Sequence, residues 1–169
     1  MNFKGILFGI AAASVVMTIG TSAVRPADRT SGLEAGDVLP EMKVTAERAY
    51  DLVPAENSNR YTLVHFWAAY DAESRAENVV WDRFFASTVS DKIAYRGICL
   101  DPDEEVFTQT LTLDGVDALD QYSTPRDKRL DLMRSYGLEQ KFHSYLVDDR
   151  GVILSVDPTP EELERFYLL

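Results

Sequence analysis

The chain alternates short, nearly continuous apolar runs with longer stretches in which apolar residues recur every three or four positions. "YTLVHFWAA", residues 61–69, is of the first kind. Neither alternate face of this run is polar, so it predicts a strand covered on both sides. "KIAYRGICL", residues 92–100, predicts a second buried strand in the same way. Between the two, residues 72 to about 89 show helical spacing, with Ala76, Val80 and Phe84 along one stripe and Trp81 and Phe85 along another. A short helix is predicted over 103–113. An amphipathic helix follows over 125–136, with Leu130, Met133 and Tyr136 on its apolar side and Gly137 placed to end it. The remainder reads as a strand "SYLVD", a turn at Asp149-Arg150-Gly151, a strand "VILSV", and a helix opened by Thr159-Pro160-Glu161-Glu162.

This order gives an α/β class. Two early strands joined through a helix should be parallel with a right-handed crossover, and the short turn at Gly151 forces the last two to be antiparallel. The expected product is a mixed central sheet with helices on both faces.

The N-terminus departs from this pattern. One positive charge at Lys4 precedes the uncharged run Gly5–Gly20, and the small residues Thr21-Ser22-Ala23 follow where a signal peptidase would cut. Residues 1–23 are therefore expected to be a cleaved signal peptide. An uncleaved anchor would need about 20 predominantly apolar residues, and this run is shorter and rich in glycine and alanine. Residues 24–37, small and polar with Pro26, read as a flexible leader, and 38–169 as one domain. A periplasmic or secreted location follows, with no stable membrane insertion once the signal is removed. A formal net charge of −11 argues against nucleic acid as a partner, because the phosphate backbone would repel it.

Export makes the cysteine count informative. The chain has one cysteine, Cys99, so no internal disulfide framework can support the fold. Its place in the apolar run "IAYRGICLD" suggests a small core hydrophobe rather than a reactive thiol.

The strand-to-helix junction carries a family resemblance. Phe66-Trp67-Ala68-Ala69-Tyr70 is followed by Asp71-Ala72-Glu73-Ser74, then Arg75 and Glu77; later come Tyr136-Gly137, Tyr145-Leu146-Val147-Asp148 and Gly151. These residues resemble the thioredoxin superfamily, and within it the exported TlpA-like redoxins (AhpC/TSA type), over roughly residues 36–169. The resemblance implies a thioredoxin-like three-layer α/β/α sandwich. It also implies a dithiol at Cys-x-x-Cys and a cis-proline beside it. Here Asp71 and Ser74 stand at the two cysteine positions, and Phe142 stands at the proline. Disulfide exchange requires a thiolate that forms a mixed disulfide, which neither a carboxylate nor a hydroxyl can do. Thiol-disulfide oxidoreductase activity is therefore not expected, and no cofactor or metal is.

Around these positions the resemblance places His65, Trp67, Tyr70, Glu77, Phe142 and His143. Asp71 is expected to cap the helix by accepting from the Ser74 N–H. His65, at a strand position where the family often carries a buried aspartate or asparagine, is expected to be a satisfied core histidine. Two functions then compete. One is a module binding an envelope protein or peptide, supported by aromatic residues near the loop: Trp67, Tyr70, Trp81, Phe85 and Phe142. The other is a hydrolytic or metal-assisted enzyme built on Asp71, Ser74 and His143, which requires His143 within hydrogen-bond reach of Ser74 or Asp71. A metal site from His65, His143, Asp71 and Glu77 would lack characteristic ligand spacing.

Overall fold

A computed structural model describes residues 32–41, 60–88 and 92–168. The expected signal peptide and most of the expected leader lie outside the described residues. The elements run β1 (Tyr61–Trp67), α1 (Ala72–Ser87), β2 (Ile93–Cys99), α2 (Glu104–Asp114), β3 (Gln121–Ser123), α3 (Arg129–Ser135), β4 (Ser144–Asp148), β5 (Ile153–Val156) and α4 (Pro160–Leu168). The sheet order is β3-β2-β1-β4-β5. β1 pairs in parallel with β2 and antiparallel with β4, and β4 and β5 form the antiparallel hairpin. This is the expected mixed sheet.

β1 lies at the centre, and all of its residues except Tyr61 are buried. Its side chains alternate between two apolar layers, as a strand's period of two requires. Val64 and Phe66 pack with Leu132, Tyr136 and Tyr145 on the α3 side. Leu63 packs with Trp81 of α1 and Leu163 of α4, and Trp67 with Leu111 of α2 and Val79 of α1. The continuous apolar run thus has the cause expected of it, burial on both faces.

The structure decides two points that the sequence left open and corrects a third. The buried residues of α1 are Ser74, Asn78 and Trp81, whereas Val80 is 49% exposed. Of the stripe Ala76, Val80 and Phe84, the first two therefore face outward, while Phe84 packs beside Trp81 against the core. A helix over 125–136 shortens to Arg129–Ser135, because Pro125 begins a separate turn closed by the Lys128 N–H on the Pro125 carbonyl at 3.0 Å. Leu130 is correspondingly exposed, and Leu132 takes the core position beside Met133 and Tyr136. Strand β3 was not legible at all, being three residues of Gln-Tyr-Ser that pair with β2 from Gly97 to Cys99.

Gly36 and Asp37, at the end of the expected leader, already bond to β5: the Gly36 N–H donates to the Ile153 carbonyl and the Ile153 N–H to the Asp37 carbonyl, each at 2.8 Å. Val38 makes a bridge to Val152. This segment covers part of the β5 edge, which would otherwise offer unpaired backbone groups.

Candidate functional site at the start of the first helix

The β1–α1 turn is built from its own backbone. The Asp71 N–H donates to the Ala68 carbonyl at 3.1 Å, and the Asp71 side chain then accepts from the Ser74 N–H at 2.9 Å. Asp71 has extended backbone angles and is the N-cap of α1. A helix leaves its first N–H groups without internal partners and carries a partial positive charge there, so a carboxylate fits both needs. Glu73 adds a second acidic group in the same turn.

Ser74 is buried. Its hydroxyl lies 3.4 Å from both the Ala68 N–H and the Asp71 carbonyl. Its carbonyl is held at 2.9 Å by Nε2 of His65, which is fully buried beneath the helix. A carbonyl can only accept, so Nε2 carries the proton; Nδ1, 2.8 Å from the Ser144 hydroxyl, is then the acceptor in the neutral ring. Burial pushes the imidazole down to about 4, against the smaller opposing effect of the Ser74 carbonyl. His65 is thus a neutral tie between β1, α1 and β4, as expected, and it pairs with neither Asp71 nor Glu77.

His143 does not reach the turn. Its Nδ1 meets Asp157 at 2.9 Å, and no hydrogen bond joins it to Ser74 or Asp71. The sequence could not foresee Asp157, which comes from the β5–α4 connection and also accepts from the Ser144 N–H at 2.9 Å and from Lys141 at 3.4 Å. It adopts φ +49°, a left-handed conformation that aspartate tolerates better than most residues. The nucleophile-and-base arrangement of Asp71, Ser74 and His143 is therefore not assembled. Among the described residues no group of three or more histidine, cysteine, aspartate or glutamate side chains is arranged to hold a metal ion.

The aromatic surround also changes character. Trp67, Trp81 and Phe142 are buried. Phe85 is half-buried and stacks on Tyr95 at 5.1 Å. These rings are held by packing with the core, and Trp81 also reaches the wall of a cavity beside the turn. Tyr70 remains at the surface, 57% exposed, with the Arg129 guanidinium 5.8 Å from its ring centre and donating to its hydroxyl at 3.1 Å. The single thiol of the chain lies elsewhere: Cys99 is fully buried on β2, and burial pushes it far above the ordinary range.

Beside the turn is a cavity of about 390 Å³. The outward stripe of α1 (Glu73, Ala76, Glu77 and Val80) forms one wall, the β5–α4 connection from Asp157 to Pro160 forms the other, and Ser144 and Trp81 also line it. The sequence does not reveal this feature, because two apolar stripes on α1 leave open which of them meets the sheet.

No protein-family model matches the sequence, nor does any curated protein. Solved structures do. A thioredoxin-like protein from Parabacteroides distasonis is 36% identical, with 82% of this chain and 97% of that one covered and a TM-score of 0.70. A thiol-disulfide oxidoreductase from Bacteroides fragilis is 25% identical over 79% of this chain and 100% of that one, at a TM-score of 0.57. The thioredoxin domain of a thiol-disulfide oxidoreductase from Bacteroides vulgatus is 22% identical over 80% and 99%, with a TM-score of 0.68, a likeness of fold. Identity of this extent over nearly the whole of a relative, on the same mixed sheet, carries the assignment suggested by the β1–α1 junction: the chain belongs to the thioredoxin-like family and is a redoxin-type member of the thioredoxin superfamily.

Proposed function

We propose that this is a redox-inactive thioredoxin-like domain of the cell envelope that binds a protein or peptide without thiol-disulfide exchange. The observation that carries the reading is the chemistry of the β1–α1 turn. Asp71, at the first dithiol position of the family pattern, spends its carboxylate on the Ser74 N–H, and Ser74, at the second, is buried. Attack on a disulfide needs a thiolate, and the single thiol is buried on another strand and strongly disfavoured from ionising. The helix-terminal field that would acidify a cysteine instead favours a capping carboxylate. The signal-like pattern of residues 1–23, a charge at Lys4 followed by an apolar run and small residues, supports the envelope location. The cavity flanking the turn supports binding, since concave and largely apolar sites are where small ligands and side chains are held.

An insulin-reduction assay tests the reading. The purified protein should be inactive with dithiothreitol as reductant, and an Asp71→Cys/Ser74→Cys variant should accelerate insulin precipitation. Turnover by the unaltered protein would sink the proposal.

A further inference from the structure

The outward face of α1 presents two carboxylates and two apolar side chains in one patch. Glu73 and Glu77 are one helical turn apart, as are Ala76 and Val80, so all four share a side. Facing them across the cavity are Asp157, Pro158, Thr159 and Pro160. Three carboxylates therefore border a space whose remaining walls are largely apolar, in a chain of formal net charge −11.

The three are not equally satisfied. Asp157 is fully engaged by the Ser144 N–H, His143 and Lys141. Glu73 has Lys141 at 3.9 Å. Half-buried Glu77 has no hydrogen-bond or ion-pair partner among the described residues. Its carboxyl is held above the ordinary range, first by burial and then by the nearby charge of Asp157, with Lys141 opposing. Lys141 also shows what this field attracts: its ammonium lies between Glu73 and Asp157 at the edge of the site, without lining the cavity.

We propose that the cavity receives one basic side chain, lysine or arginine, from an extended peptide, with its charged end at Glu77 and its methylene stem against Ala76, Val80, Trp81 and Pro158. Charge complementarity selects the cation. A long unbranched stem suits the apolar walls, since lysine and arginine bury their methylenes while their charged ends find polar partners. The volume, about 390 Å³, accommodates one such side chain with some flanking backbone. A partly desolvated carboxylate without a partner carries a cost, so supplying a cation eases a penalty that Glu77 bears in the free protein. This assignment rests on the binding-module reading and adds to it the chemical class of the ligand.

The test uses ¹H–¹⁵N NMR of the purified protein titrated with Ac-Gly-Lys-Gly-NH₂ or Ac-Gly-Arg-Gly-NH₂, against Ac-Gly-norleucine-Gly-NH₂, which keeps the stem and lacks the charge. The basic peptides should shift amides of Ala76, Glu77, Val80 and Thr159, with dissociation constants at least tenfold below that of the norleucine peptide. Glu77→Gln, which keeps size and shape at a half-exposed position, should remove most of that preference while its dispersed spectrum shows an intact fold. Equal binding of the norleucine peptide, shifts confined to other surfaces, or no shift with either basic peptide would overturn the site. Any of these results beside an inactive insulin assay would leave the redox-inactive reading standing, whereas insulin turnover would remove that reading without touching the peptide data.

Discussion

Asp71 and His65 do unlike work at one turn, and each can be tested singly. The Asp71 carboxylate reaches a backbone N–H at 2.9 Å that the helix itself cannot satisfy. Asp71→Ala should therefore cost about 1 kcal/mol in urea unfolding, and Asp71→Asn, which retains an accepting oxygen, much less. Equal losses would mean that the cap matters through charge alone. His65 gives a pH dependence whose sign follows from its depressed imidazole. Folded, it resists protonation until about pH 4; unfolded, it takes a proton near the ordinary 6.5. Its contribution is complete above 6.5, declines as pH falls because the unfolded chain binds the extra proton, and levels off below about 4. The whole effect is on the order of 3 kcal/mol. An NMR titration of the ring should show no inflection above pH 5; one near 6.5 would contradict its burial. The capping role of Asp71 could be read from its type and place before a helical pattern. The partners of His65 could not, because Ser144 is 79 residues away in sequence.

The elements are tied together by a buried polar chain as well as by apolar packing. Trp67 of β1 donates to Gln121 of β3 at 3.0 Å, Gln121 donates to Asn78 of α1 at 3.0 Å, and the Tyr95 hydroxyl of β2 donates to the same Asn78 oxygen at 2.6 Å. Asn78→Leu keeps the volume roughly constant but strands two buried donors, so a loss on the order of 3 kcal/mol is expected in chemical denaturation. A loss below about 1 kcal/mol would show that water or rearrangement replaces the amide. Gly97 belongs to this arrangement, since a Cβ added there would lie 2.2 Å from the Gln121 side-chain oxygen. Gly97→Ala should displace Gln121 and weaken the β2–β3 pairing, visible as faster amide exchange at Gly97 and Gln121. This network explains why β3 escaped prediction. Three residues without apolar alternation are held as a strand by a partner's missing side chain and by a glutamine whose hydrogen bonds come from two other elements.

At the scale of the whole molecule, the lone cysteine reports on global opening. Cys99 lies between β1 and α2 with no exposed surface, so labelling by an aromatic disulfide reagent should proceed only as fast as the domain unfolds, accelerating with urea in step with loss of circular dichroism. Prompt labelling in native buffer would mean that β2 opens locally. The class, the central buried strand, the parallel-then-antiparallel order and the lack of a dithiol were all legible in the order of residues. These depend on period, turn chemistry and composition, all of which are local or countable. The same order of residues also placed Asp71 as a cap, since a cap is made within three residues. Long-range packing was needed to settle which stripe of α1 is core, that His143 answers to Asp157 rather than Ser74, and that Trp81 and Phe142 are buried. Each of those outcomes turns on what another element sets opposite the residue, and a helix with amphipathic spacing on two sides cannot say which side will meet the sheet.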